Sequence, residues 1–558
     1  MDFRHPFLTE QLIAYIGNKR ALLPFLHGVF SRIVEDPARA VFLDPFAGSG
    51  SVSRLARLMG FAVAANDWEP YSLVINSCYL AVSPGELGSM FRSRGGLDAV
   101  LDRLNALPEP AAEDRYISRH YAPRDTACAD WRTERLFYTR ENALALDSIR
   151  QAIEEMFPGV PADPCELREK MVLLAPLLYE AATHTNTSGV FKACHRGFGG
   201  HGQDALKRIM GAIRMRAPVL VEAAAPALVT AMDAAEFLRG RPGDLCYLDP
   251  PYSVHQYGSN YFMLNTIARW DRPPVSDERG ADGRLVKKAG IRPDWVATRS
   301  DFCYGSTARE AMRRVVEAAD CRLLVVSYSD EGLIGLEELC ELLSAAGSLS
   351  VHSTGYVKYP GGKQSLGRTT RNMELALVVD KRARSTAGAA VRRLLREVDI
   401  ARLMESSFAP SRVRASFPVA GEGILAGPDG EAAAALQMRH FWRFATDARP
   451  PVFDSDLAAA RFIESLSGCI VRDAREEIDV LIEIAGNIIE AAEKQKLLRE
   501  ILRLFNKLAH RKYRQLFMET LEMLRGYGDG DPLSAGFRRG LEAVAERAVR
   551  RMAARPAG

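Results

Sequence analysis

The chain is expected to fold as an α/β protein built on a doubly wound, mostly parallel sheet, with a large insertion and a mostly α-helical C-terminal domain. Three observations lead there. Apolar strands at Val41–Leu43, Phe61–Ala65 and Leu245–Leu248 each run into an acidic residue or Asn-Asp pair. The first of them continues through a small-residue loop into a helix, the unit from which doubly wound sheets are made. From about Ser77 to Ala225 the strand–helix alternation is lost, and it resumes at Ala227.

Bulk numbers set the frame. At 558 residues the chain exceeds one ordinary core, so two to four domains are expected. Hydrophobic residues at 47% and charged residues at 26% describe a globular chain with no disordered bias. A net charge of +3 neither demands nor excludes nucleic acid, so local clustering matters more. The nine cysteines form no CxxC pair and no Cys/His cluster at zinc spacing, so no metal and reduced thiols in a cytoplasmic protein are expected. No signal peptide is read at the N-terminus, and no apolar run approaches the roughly 18 residues of a membrane helix.

In chain order, Tyr15-Ile-Gly-Asn-Lys-Arg-Ala-Leu-Leu-Pro24 is a glycine-bearing turn opening a helix. A lysine at a helix start opposes the macrodipole, so Lys19 is read as placed for an anion or left in solvent. Next, Val41-Phe-Leu-Asp-Pro-Phe-Ala-Gly-Ser-Gly-Ser-Val52 is a strand, an acid and a small-residue loop. Glycines there let the backbone approach a ligand, but the spacing is neither GxGxxG nor GK[ST], so neither NAD nor a P-loop phosphate is implied. The second strand ends in Asn66-Asp67, where an acid binds ribose hydroxyls in doubly wound sheets or simply caps a helix.

The insertion carries Thr183-His-Thr-Asn-Thr-Ser-Gly-Val-Phe-Lys-Ala-Cys-His-Arg-Gly-Phe-Gly-Gly-His201. Its Lys192, His195 and Arg196 beside aromatics suit phosphate contact and base stacking, though such loops are also ordinary surface. Ala227–Phe237 reads as a short strand ending at Asp233. Leu245-Cys-Tyr-Leu-Asp-Pro-Pro-Tyr252 then joins a buried strand to a rigid turn. Two prolines fix φ and remove two donors, so Asp249 and nearby carbonyls are presented as acceptors beside the Tyr252 ring. A planar ring bearing an NH2 group would suit that turn; an ordinary proline turn is the plainer reading. Val351–Lys358 and Met373–Val379 read as a hairpin whose glycine-rich tip carries Lys363 and Arg368. Beyond Lys381, Leu497, Ile501, Leu504 and Leu508 recur at helical spacing among Lys494, Lys496, Arg499, Arg503 and Lys507, an amphipathic helix with a basic face.

Taken together, Tyr15–Pro24, Asp44-Pro-Phe-Ala-Gly-Ser-Gly50, Asn66-Asp67, Asp233 and Asp249-Pro-Pro-Tyr252 resemble, in that order, the Dam-like, D12-class family of DNA adenine-N6 methyltransferases in its α arrangement. The resemblance spans roughly residues 8 to 380 and implies a Rossmann-like methyltransferase sheet. It implies a catalytic domain at 1–80 and 226–385 around a target-recognition insertion at 81–225; beyond it the composition suggests a linker at 386–398 and a helical domain of unassigned role at 399–558. S-adenosylmethionine is the implied cofactor, without a metal. Gly48 and Gly50 would admit its methionine portion, Asp44 its ammonium and Lys19 its carboxylate, with Tyr15 lying over it. Asp67 would take the ribose hydroxyls, Asp233 the adenine amine, and Phe46 would pack near the sulfonium or adenine.

Catalysis would rest on Asp249, Pro250, Pro251 and Tyr252 acting on a flipped-out adenine. Lys192, His195, Arg196, Lys363 and Arg368 would contact double-stranded DNA. A restriction–modification, phage-defence or epigenetic role follows, with the C-terminal domain as a dimer or partner surface. Methylation of cytosine N4 or of RNA adenine, and a non-catalytic DNA-binding subunit, are the alternatives. Serine more often opens the tetrapeptide of the cytosine enzymes, and Asp249 stands against that reading.

Overall fold

The computed structural model describes the chain except residues 201–202, 224, 330, 358–370, 385–386, 421–423, 427–432, 439–441, 445–449, 454, 488–489, 511–512, 528–533 and 554–558. Two compact units result: Met1–Thr354 with Glu374–Ala387, and Gly355–Met373 with Gly388–Gly558.

The first unit is organised by a seven-stranded sheet in the order β3-β2-β1-β4-β5-β7-β6. Its strands are β1 (Val41–Asp44), β2 (Ala62–Asn66), β3 (Ala227–Thr230), β4 (Gly243–Leu248), β5 (Cys321–Ser329), β6 (Ser348–Val357) and β7 (Arg371–Asp380). Strands β1 to β5 pair in parallel, and β7 runs antiparallel to β5. The apolar runs of β1, β4 and β5 are buried, as expected of strands covered on both faces. One face packs Phe42, Val63, Leu245, Tyr247, Leu323 and Val325 against Leu26, Phe30, Leu55 and Ala56 from the helices Leu23–Ile33 and Ser51–Met59.

Strand order reverses between β1 and β4, which are adjacent with Phe42 opposite Leu245 and Leu43 opposite Cys246. Ligands of open α/β sheets bind at the carboxyl ends of strands where the order reverses. Here that point lies between Asp44 and Asp249. Because β7 is reversed, its first residues reach the same edge, with Glu374 opposite Ser329 at the end of β5.

Among the described residues, those of 81–225 build no separate core. Their helices Arg140–Met156 and Pro164–Thr183 share one apolar cluster with Tyr71, Val74, Ile75 and Cys78 of the helix Pro70–Ala81 and with Phe262, Leu264 and Ile267 of the helix Phe262–Arg269. β3 stops at Thr230, short of Asp233, which instead caps the helix Ala234–Leu238 by accepting from the Ala235 and Glu236 N–H groups. That cap satisfies amides otherwise left open at a helix start.

The second unit is mostly helical. Residues 386–398, expected to be a linker, fall largely within the helix Ala387–Glu405; Val391, Leu394 and Leu395 stand at helical spacing between alanines and arginines, and such residues form helix readily. Leu497, Ile501, Leu504 and Leu508 are buried as the periodicity requires, packed with Leu481, Phe517, Leu521 and Leu541 of neighbouring helices. Lys496, Arg499, Arg503 and Lys507 face outward. A four-stranded antiparallel sheet of Val419–Ala420, Ile424–Ala426, Ala433–Met438 and Trp442–Phe444 was not expected. Ala433-Ala-Ala-Leu-Gln-Met438 favours helix by propensity, and pairing with both neighbouring strands overrides it. Among the described residues no helix is long and apolar enough to cross a membrane.

Candidate active site

A cavity opens at the carboxyl edge of β1 and β4. It is bounded by Tyr15–Lys19, Asp44–Ser49, Asp67–Glu69, Met232–Ala235, Asp249–Tyr252 and Thr298–Phe302. About 1300 Å3 of non-protein space lies within it, counted to its open mouth. Six carboxylates line it (Asp44, Asp67, Glu69, Asp233, Asp249, Asp301) against three cations, Lys19, Arg299 and Arg314. Such a wall repels a polyphosphate and favours a ligand bearing positive charge and hydrogen-bond donors.

Local geometry follows from the loop after β1. Asp44 is buried, accepting from Ser53 Oγ at 2.6 Å and the Phe46 N–H at 3.3 Å. Burial, with the Asp249 charge adding to it, pushes its pKa up to about 7 against the Ser53 bond. Gly48 (φ +51°) and Gly50 (φ +78°) occupy the left-handed region, where side chains are strained. A Cβ on Gly48 would stand 2.8 Å from the Tyr15 ring. Gly50 turns away from the cavity onto Asn76, whose Oδ1 a Cβ would meet at 2.3 Å. Asp67 accepts from the Gly48 N–H at 2.9 Å and the Glu69 N–H at 3.0 Å, so it clasps the glycine loop. Burial raises it to about 6, opposed by those amides.

The tetrapeptide turn is held from several sides. Tyr252 packs edge-on against Tyr328 of β5, ring centroids 5.6 Å apart, and its carbonyl accepts from the Leu333 N–H at 3.1 Å. Tyr15 stacks on Tyr261 at 4.9 Å and leans on Tyr257 at 5.2 Å, while its hydroxyl meets that of Tyr71 at 2.9 Å. Phe46 meets Phe302 edge-on at 5.3 Å.

Lys19, expected beside a cofactor carboxylate, lines the cavity and meets two carboxylates of the protein itself. Its Nζ lies 3.2 Å from Asp249 Oδ1, 3.4 Å from Glu374 Oε2 and 3.5 Å from the Tyr252 hydroxyl. Burial works against its charge, yet Asp249, Tyr252 and Glu374 hold its pKa well above the ordinary lysine value. Burial raises Asp249 to about 6; Lys19 lowers it and Glu374 raises it.

The structure thus brings Tyr15, Lys19, Asp44, Phe46, Gly48, Asp67, Asp233 and Asp249–Tyr252 into one cavity, with Gly50 just behind it. The sequence reading missed Glu374 and Glu69. Glu69, raised to about 7 by burial, accepts from Asn265 at 2.5 Å. An acid inside the apolar strand Met373-Glu-Leu-Ala-Leu-Val-Val379 was the available signal for Glu374.

Lys192, His195 and Arg196 lie outside the cavity lining. Their loop winds about the buried Asn186, which donates to the carbonyls of Leu136, His195 and Gly197. Its Phe191 N–H reaches the Asn260 carbonyl at 2.7 Å, tying the loop to the segment after the tetrapeptide. The His195 ring Nε2 lies 3.4 Å from the hydroxyl of the exposed Ser188. Lys192 is exposed; after burial, its charge helps hold His255 below the ordinary histidine value. The exposed Arg196 guanidinium lies 4.5 Å from the Trp131 ring, which Arg132 and Arg284 also approach at 5.2 and 5.8 Å. Lys363 and Arg368 lie outside the described residues.

With that geometry in hand, comparison with known proteins is decisive. The model of the D12 class N6 adenine-specific DNA methyltransferase family matches residues 15–284. The type II methyltransferase M.NlaIII of Neisseria lactamica is 30% identical over 351 residues, covering 62% of this chain and 93% of that relative. The chain belongs to the D12 class N6 adenine-specific DNA methyltransferase family. The type II methyltransferase M.CviAII of Paramecium bursaria Chlorella virus 1 is 28% identical over 64% of this chain and 95% of its own length. Modification methylase LlaI of Lactococcus lactis subsp. lactis is 28% identical over 66% of this chain and 55% of its own. No solved structure matches the chain significantly. As a D12-class enzyme this chain is a DNA adenine methyltransferase, and methyltransferases of this kind draw in general on S-adenosylmethionine.

Proposed function

We propose that this enzyme is a site-specific modification methyltransferase that methylates N6 of a flipped-out adenine in double-stranded DNA, in the manner of the type II relatives. One observation carries the reading: Asp249 and the Asp44 glycine loop end adjacent parallel strands and face one acid-lined cavity. S-adenosylmethionine bound there supplies an electrophilic methyl group on a sulfonium. The residues fit it: a positive-φ glycine loop under the Tyr15 ring, and carboxylates at Asp44, Asp67 and Asp233 for ammonium, hydroxyl and amine donors.

The protein's own task is to prepare the amine. Adenine N6 is a weak nucleophile because its lone pair is delocalised, and a carboxylate whose pKa is about 6 is far too weak a base to deprotonate it. Asp249 and the Pro250 carbonyl would instead accept its two N–H hydrogens, favouring a pyramidal nitrogen whose lone pair turns toward the methyl group. The carboxylate also stabilises the positive charge that develops on nitrogen and would accept the proton that the methylated, cationic nitrogen then sheds. Tyr252 offers a ring face to the extruded base, offsetting the few kcal/mol of unstacking with about 1–3 kcal/mol of stacking. Lys192 and Arg196 would engage phosphates, the guanidinium pre-oriented by Trp131. Incubation with DNA and tritiated S-adenosylmethionine, followed by nucleoside analysis, is expected to yield N6-methyladenine. Label on N4-methylcytosine, or none with DNA lacking the mark, overturns the reading.

A further inference from the structure

We infer that Glu374 is a positioning residue for methyl transfer, the second seat to which the Lys19 ammonium withdraws when the target amine takes its place on Asp249. The inference rests on the methyl-transfer reading of the site. Lys19 and Glu374 are almost wholly enclosed, their side chains 2% and 6% exposed, and Asp249 is 17% exposed. One ammonium therefore serves two carboxylates at 3.2 and 3.4 Å. The Tyr252 hydroxyl stands 3.5 Å from both Lys19 Nζ and Glu374 Oε1, linking the pair to the tetrapeptide.

The geometry poses a conflict that Glu374 resolves. Asp249 Oδ1 is engaged by Lys19, yet one of the two amine hydrogens needs an acceptor on that same carboxylate. Lys19 does not discharge to clear it, because its pKa is held well above the ordinary value. It does not escape to water either, since a buried charge needs a partner. Glu374 supplies that partner without requiring the lysine stem to move far. Two carboxylates and one ammonium also leave one negative charge in excess, matched to the positive charge that develops on the amine. The other groups facing Asp249 are Tyr247, Tyr257 and Asp44. Burial pushes those tyrosines well above their ordinary values, and Asp44 is the remaining neighbour that titrates near neutrality.

Glu374→Gln tests this in the full-length enzyme. Cofactor and DNA binding are expected to hold, while kcat falls about tenfold or more, since contacting charges couple strongly. Loss of the Glu374 charge also moves the acid limb of the kcat/KM profile, which reports the free enzyme, to lower pH, because Glu374 raises the Asp249 pKa. Glu374→Asp keeps the charge and is expected to leave the limb where the wild type has it. In a double-mutant cycle, Lys19→Gln with Glu374→Gln should be no slower than Lys19→Gln alone, because Glu374 acts through the lysine. Wild-type kcat and an unmoved limb in E374Q overturn the inference, as do additive losses in the double variant. If E374Q fails to fold by thermal melting, a limb displaced in E374D still overturns it. Absence of methylation by the wild-type chain counts against the function itself; normal wild-type transfer with an unaltered E374Q counts against Glu374 alone.

Discussion

The Lys19 ammonium sits 3.2 Å from the Asp249 carboxylate although the glycine turn and the tetrapeptide bracket the whole insertion in sequence. Burial alone would raise Asp249 further; Lys19 holds it at about 6. Lys19→Gln removes that restraint, so the acid limb of kcat/KM, which reports the free enzyme, should move to higher pH. Activity is present above the Asp249 pKa and lost as pH falls through it. A pH–rate series on both proteins checks the direction, and an unmoved limb would separate the limb from Asp249.

Asp249→Ala removes the acceptor without touching the cofactor loop. Transfer should drop by about 10²–10³-fold or more, the usual loss for a removed charge-stabilising group. Cofactor binding by calorimetry should persist. Loss of binding would contradict the placement of Asp249 at the amine.

Gly48→Ala puts a Cβ 2.8 Å from the Tyr15 ring at φ +51°. Left-handed backbone costs a side chain about 1–2 kcal/mol, and the collision adds to it. Cofactor affinity should fall about tenfold or more, each 1.4 kcal/mol being a factor of ten, and the melting temperature should drop as well, because the strain is already present in the unliganded fold. Undiminished affinity would show that the loop does not approach the ligand.

Asp44 and Glu69 are raised to about 7 and Asp67 to about 6, each chiefly by burial. A cationic ligand favours their ionised forms, so cofactor binding should release protons near pH 6.5 and weaken as pH falls below 7. Calorimetry in buffers of different ionisation enthalpy reads this directly. In the unliganded protein the sign for stability is opposite. Folded pKa values above the unfolded ones contribute stability at low pH that is lost as pH rises through 6 to 7. Asp44→Asn should flatten that part of the melting profile.

Arg196→Gln should raise the KM for DNA and reduce the salt dependence of binding by about one unit of log–log slope, as for one lost phosphate contact. Cofactor affinity should be unchanged. An unaltered slope would remove Arg196 from the DNA-facing surface.

Contiguous chemistry was legible along the chain. Each of Asp44 with its glycine loop, Asn66-Asp67 and Asp249-Pro-Pro-Tyr252 announces strand, turn and acceptor within a few residues, because strand ends and proline turns are local events. Their order named the family, and an apolar period named the helix about Leu497–Leu508. Neighbouring strands, by contrast, are chosen by the sheet. Only the reversal between β1 and β4 put Asp44 and Asp249 on one cavity, and only the antiparallel course of β7 carried Glu374 to Lys19. The same holds for the insertion, whose helices look independent in sequence yet share their apolar faces with the catalytic core. For Lys19 the local reading gave an anion without saying which, for a related reason: a buried charge goes to whichever opposite charge folding brings within reach. No stretch of a few residues holds that information.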